Sequence, residues 1–146
     1  MKKSIFFLFV FLSLFSCKKE EEANPIPEIT LDSVSETLVQ SFDNTIEIHL
    51  SYKDETGDIG YQDPDTYSLR IKDSRLSDYD WYHIPPLTPN NEELNIEGSF
   101  TVSLNSLFLL GSGDQETTIL TLQLKDRAGN WSNVIQTPDI LIVDSL

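Results

Sequence analysis

The sequence predicts an all-β protein, a sandwich of two antiparallel sheets with about seven strands. Three observations carry this. From Ile29 onward apolar residues recur mostly at every second position, the period of a strand with one buried and one wet face. No stretch carries an apolar stripe at three- and four-residue spacing. The alternating runs are short and are divided by segments rich in Asp, Asn, Gly, Ser and Pro, which favour turns.

Taken in order, Ile29 and Leu31 open an outer strand. Ile46, Ile48, Leu50 and Tyr52 then alternate with Glu47, His49 and Ser51. Tyr67, Leu69 and Ile71 alternate with Ser68, Arg70 and Lys72, and Trp81 to Ile84 forms a short strand. Phe100, Val102 and Leu104 alternate with Thr101 and Ser103; Leu120, Leu122 and Leu124 alternate with Thr121 and Gln123. Asn105 to Leu110 is read as a short helical turn, ended by Gly111 and Gly113. Val134 to Val143 closes the fold. Pro138 lies inside that last run and cannot donate to a ladder, so the strand is expected at an edge, or bent and bulged there. Two sheets packed through their inward faces hide the apolar sides of all these strands. There is no internal repeat.

The chain opens MKKSIFFLFVFLSLFSC. Lys2 and Lys3 precede an apolar run from Ile5 to Leu14, the layout of a secretory signal over residues 1–16. The run falls short of the roughly 20 residues a membrane span needs. Cys17 is the single cysteine and sits where the apolar run meets the charged run Lys18-Lys19-Glu20-Glu21-Glu22. Leu14-Phe15-Ser16-Cys17 resembles the lipobox of bacterial lipoproteins, and the Lys-then-acidic run resembles the surface-export signal of Bacteroidota lipoproteins. The resemblance implies cleavage before Cys17, acylation of Cys17 and a place on the outer membrane, facing outward. Each buried CH₂ of an acyl chain contributes about 0.8 kcal/mol, and several chains together make a stable anchor. Residues 17–27 read as a disordered acidic tether, stiffened locally by Pro25 and Pro27 and followed by one domain over 28–146.

Charge narrows the partners. The 146-residue chain has ten basic and 24 acidic residues. Removal of residues 1–16 takes Lys2 and Lys3 with it, leaving eight basic residues and a formal charge of −16. Such a surface opposes nucleic acid, which requires a basic face, and opposes electrostatic docking on anionic lipid. It permits divalent cations. With Cys17 acylated, no disulfide forms within the chain, so packing holds the fold.

Two further stretches carry a family likeness. Leu124 to Asn133, LKDRAGNWSN, resembles the Asp-x-Ala-Gly-Asn-x-Ser ending of bacterial Ig-like and fibronectin-like modules. Asp54 to Gly60, DETGDIG, resembles the acidic loop after the second strand of Bacteroidota surface lipoproteins, with Glu55-Thr56 replacing part of the usual Asp-Gly-Asp run. The resemblance implies a single Ig-like β-sandwich in which both loops emerge at one end. It implies no activity.

Candidate functional residues follow from this arrangement. Asp54, Asp58, Asp63, Asp65, Asp126 and Asn130 offer hard oxygens of the kind Ca²⁺ takes. The spacing fails the EF-hand pattern, because Gly57 precedes Asp58 and the bidentate Glu is missing. The other reading is that the carboxylates cap local turn N–H groups. Trp81 and Tyr82 are adjacent on a strand and point to opposite faces, so one is exposed. Trp131 either packs over the sandwich end or joins the exposed aromatics as a binding residue. For catalysis the inventory is poor: His49 and His83 are the only histidines, and no HExxH, GxSxG or phosphate loop occurs. Asn130-Trp131-Ser132 matches a glycosylation sequon by chance. The expectation is a non-enzymatic, lipid-anchored surface module with a binding or adhesion role toward a glycan or an envelope protein. Its alternatives are an accessory subunit of an outer-membrane complex and a Ca²⁺-dependent glycan-binding or hydrolytic protein.

Overall fold

The computed structural model of the chain describes residues 23–43, 45–88 and 94–146. The leader 1–16, Cys17 and tether residues 18–22 lie outside the described residues. Among the described residues there are ten strands: β1 Glu28–Val34, β2 Leu38–Gln40, β3 Ile46–Asp54, β4 Leu69–Asp73, β5 Asp80–Tyr82, β6 Ile96–Leu104, β7 Gln115–Thr118, β8 Leu120–Leu124, β9 Ile135–Gln136 and β10 Ile140–Val143. There is no helix among the described residues.

These segments merge into seven strands of a two-layered β-sandwich, with β1 continuing into β2, β7 into β8 and β9 into β10. One layer is the antiparallel sheet β1-β3-β6, and the other is β5-β4-β8-β9. A third small sheet, β2-β10-β7, extends the second layer. Its β2–β10 pair is parallel, the one departure from an otherwise antiparallel ladder. Alternation decides which side chains meet. Ile46, Ile48 and Leu50 of β3, Leu69 and Ile71 of β4, Leu120, Leu122 and Leu124 of β8, and Ile140 and Ile142 of β10 are all buried in a single core. Glu47, Arg70, Lys72, Thr121 and Gln123 alternate with them and stay wet or half-buried.

Pro138 acts as expected. It falls between β9 and β10, where the last strand leaves β8 and crosses to pair with β7 and β2. The helical turn expected over Asn105 to Leu110 is absent. Its backbone groups are spent on neighbours instead: Phe42 N donates to Leu107 O, Leu109 N to Ser41 Oγ, and Leu110 N to the Glu116 carboxylate. Tyr67 precedes β4 and is exposed.

The chain is bonded to the domain from Asn24, four residues before β1, and this fixes which end the tether enters. Asn24 N donates to Glu55, and Asn133 brackets Ile29 with bonds to its N and O. The tethered end therefore carries the 55–68 and 125–134 loops. The opposite end carries residues 41–43 and the 74–79 and 105–114 loops.

Candidate functional site

At the tethered end the two acidic loops meet. Ile59 forms a bridge with Asp126, and Arg127 N donates to Asp58 O. Asp54 is fully buried at the end of β3. Its Oδ1 accepts from Thr56 N at 3.0 Å and from Thr56 Oγ1, and its Oδ2 accepts from Asp58 N at 2.8 Å. Asp58 Oδ2 accepts Ala128 N at 2.9 Å, which ties the two loops together. Asp126, also buried, accepts Asn130 N at 2.7 Å and Asn130 Nδ2 at 2.8 Å, while the same amide donates to Pro25 O. The Asp-Arg-Ala-Gly-Asn run is thus a pinned turn that also clamps the incoming tether. Gly129 supplies its left-handed backbone, with φ of 97°. Gly60 is needed for a second reason: a Cβ there would lie 2.2 Å from Pro85 O. Tyr61 donates its hydroxyl to Asp126 O at 2.9 Å, and burial, then the Asp126 and Asp58 carboxylates, push its phenol above the usual value.

Asp63 and Asp65 stand apart in their own turn, where Asp63 caps Asp65 N and Thr66 Oγ1. The six residues read as one cation set divide among separate turns. Among the described residues no group of three or more His, Cys, Asp or Glu is placed to hold a metal ion. The physical reason is local. Asp54, Asp63 and Asp126 find backbone N–H groups two to four residues away, and Asp58 accepts Ala128 N from the facing loop, so their lone pairs are taken up.

The residues that do converge are aromatic and basic. They occupy the outward face of β5-β4-β8-β9. Register sets this up: Arg70 of β4 stands opposite Trp81 of β5 and Gln123 of β8, so all three share one face. Trp131, bridged to Lys125 just past β8, joins them. The Trp81 and Trp131 rings are 6.0 Å apart and tilted by 56°, and Tyr79 lies 6.5 Å from Trp81. Arg70 is the hub. Its guanidinium sits 4.0 Å from the Trp131 ring centre and 4.5 Å from that of Tyr79, and it donates to Gln123. Among the described residues its Nε is buried with no hydrogen-bond partner, so the ring faces supply much of its electrostatic environment. Lys72 approaches Tyr79 and Lys125 approaches Trp131 from either side. Trp81 is 45% exposed. Tyr82 points the other way, half-buried against the core, where burial raises its phenol pKa. Of the three aromatics singled out from the sequence, Trp81 and Trp131 come together and Tyr82 does not join them.

A second aromatic pair lies at the opposite end. Phe42, 72% exposed and with φ of 65°, stacks on Phe108 at 5.3 Å. A bulky residue in the left-handed region is uncommon, and the Phe42 N–Leu107 O bond holds it there. Beside it a cleft of about 340 Å³ runs between β5 and residues 104–110, walled by Leu76, Tyr82, Phe108 and Leu110. Arg75 at its rim binds Asp73, Glu116 and Phe108 O. Sequence reasoning missed Arg70, Tyr79 and this end. Arg70 reads as an ordinary wet-face cation until the register places it among rings. No protein-family model, curated protein or solved structure matches the chain.

Proposed function

We propose that the chain is a lipid-anchored Ig-like module of the outer membrane that binds a glycan outside the cell through the outward face of its four-stranded sheet, without chemistry of its own. The observation that carries this is the cluster of Tyr79, Trp81 and Trp131 around Arg70. Rings of this kind present apolar faces with polar edges, suited to the mixed surface of a sugar. The cluster gathers Arg70, Lys72 and Lys125, three of the eight basic residues of a mature chain with formal charge −16, so the face suits a glycan bearing acidic groups. Acylation of Cys17 would supply the membrane attachment. The seven residues from Cys17 to Ala23 span at most about 25 Å when extended, which keeps the domain close to the bilayer.

Intact-cell and isolated-glycan pull-downs with the full chain test this reading. Replacing Trp81 with alanine is expected to reduce retention about 30-fold, the effect of losing a central aromatic anchor. The melting temperature should change little, because Trp81 lies on a three-residue edge strand and is half-exposed. Retention equal to wild type would reject this face as the binding site. Retention by an envelope protein alone would assign the face to a protein partner.

A further inference from the structure

A long strand at the edge of a sheet exposes unpaired N–H and C=O groups, and proteins blunt such edges with short length, bulges, prolines or charges. The edges here are treated very unequally. β1 is broken by a register shift between Leu31 and Ser33 and carries Glu28 and Asp32. β5 and β2 have three residues, β9 two and β7 four. β6 is different. It is an edge strand of nine residues, paired with β3 in unbroken register from Ile96 to Leu104. It contains no lysine and no proline, and its one charged residue is Glu97. Among the described residues no backbone bond reaches it from the side away from β3.

We propose that β6 is the interface strand of a two-fold dimer, pairing antiparallel with β6 of a second copy of this chain. The sequence IEGSFTVSL is self-complementary about Phe100. Centred there, Ile96 faces Leu104 of the second copy and Gly98 faces Val102, so the inward row meets an inward row. On the outward row Ser99 faces Thr101 and Glu97 faces Ser103, so the small hydroxyl residues match and the two Glu97 side chains stay far apart. Like charges directly opposite would destabilise such a pair, and this register has none. Gly98 leaves room for the Tyr52 ring, whose hydroxyl would be 2.7 Å from a Cβ there. The two three-stranded sheets become one of six, an ordinary size. Because the axis is perpendicular to the joined sheet, both four-stranded sheets fall on the same side. The two Trp81–Trp131 faces then point the same way and form a bivalent surface, in which the second contact gains effective concentration from the first.

The test uses the full chain in detergent and on whole cells. Sedimentation of the wild type should give a concentration-dependent mass twice that of one chain. The double variant Ser99→Lys with Thr101→Lys sets lysine opposite lysine at two positions and should sediment as a monomer with an unchanged far-UV spectrum. The double variant Ser99→Cys with Thr101→Cys should give a disulfide-linked dimer on non-reducing gels, absent from the parent chain with Cys17 alone. A wild type that stays monomeric overturns the proposal. So does a lysine variant that dimerises like the wild type, or a cysteine pair that fails to cross-link. None of these readouts involves the aromatic face, so its failure as a glycan site would leave them unaffected.

Discussion

Replacing Arg75 with alanine is expected to destabilise the domain by about 3 kcal/mol, near the lower end for breaking a buried ion pair. Arg75 is 13% exposed and Asp73 is 7% exposed. Arg75 Nε and Nη2 grip the Asp73 carboxylate side-on, and Nη1 reaches Glu116 at 2.7 Å. Thr118 Oγ1 also donates to Asp73. With the guanidinium gone, Asp73 remains as a buried charge with one hydroxyl and one backbone N–H. Glu116 keeps Leu110 N and Gly111 N but loses its tie to the turn that follows β4. The same network sets a pH dependence. Burial works against ionised Asp73, yet the bonds from Arg75 and Thr118 more than offset it and hold the carboxyl below its usual value. The Leu110 and Gly111 amides, with Arg75, do the same for Glu116. A carboxyl depressed in the folded state stabilises above its unfolded pKa, about 3.9 for Asp, and that contribution is lost as pH falls through the folded value. Denaturant melts from pH 7 down to pH 3 should therefore show wild-type stability falling below about pH 4. In the alanine variant that fall should be shallower, because the bonds that depress Asp73 are missing. An unchanged midpoint at pH 7 would show that Arg75 holds nothing.

Replacing Leu122 with alanine is expected to cost about 2–5 kcal/mol, the range for deleting a fully buried leucine side chain. Leu122 is 0% exposed, stands opposite Ile71 on one side and Ile135 on the other, and sits in the middle of β8. It belongs to a core that both layers share, so the cavity opens where neither sheet can close over it without losing register. With no disulfide to restrain the unfolded chain, the whole loss falls on packing. Thermal unfolding should show a lower midpoint with the far-UV spectrum of the folded state retained at low temperature. A change below about 0.5 kcal/mol, the size of a surface effect, would show that the two layers do not pack through this position.

The long strands were legible because each has one buried face. Ile46 to Tyr52, Phe100 to Leu104 and Leu120 to Leu124 alternate cleanly, and the structure buries the residues that alternation selects, fully except at Tyr52 and Phe100, which are half-buried. β2 and β7 left little trace. β7 reads Gln115-Glu116-Thr117-Thr118 with only Thr118 buried, and β2 depends on a parallel partner about a hundred residues away in sequence. Periodicity cannot report a strand held by its neighbours rather than by its own pattern. The 105–110 segment carries helix-compatible residues, yet the backbone bonds offered by Ser41 and Glu116 outcompete one helical turn. The aromatic site was legible in part. Trp81 and Trp131 could each be marked as exposed rings, but 50 residues separate them, and only the Arg70–Trp81 and Arg70–Gln123 register brings them onto one face. The acidic residues of the two loops do meet at one end of the sandwich. Their density reflects turns, with Asp54, Asp58 and Asp126 each spent on N–H groups nearby.

The chain has two tryptophans, and both lie on the face assigned to binding. Intrinsic fluorescence therefore reads that face and no other. Acrylamide quenching of tryptophan emission, measured with and without the glycan fraction retained in the pull-down, reports whether sugar covers these rings. Saturating glycan should lower the quenching constant at least twofold, as the sugar covers Trp81 and Trp131. A quenching constant that stays the same while the glycan is demonstrably bound would contradict it and place the binding surface elsewhere on the domain.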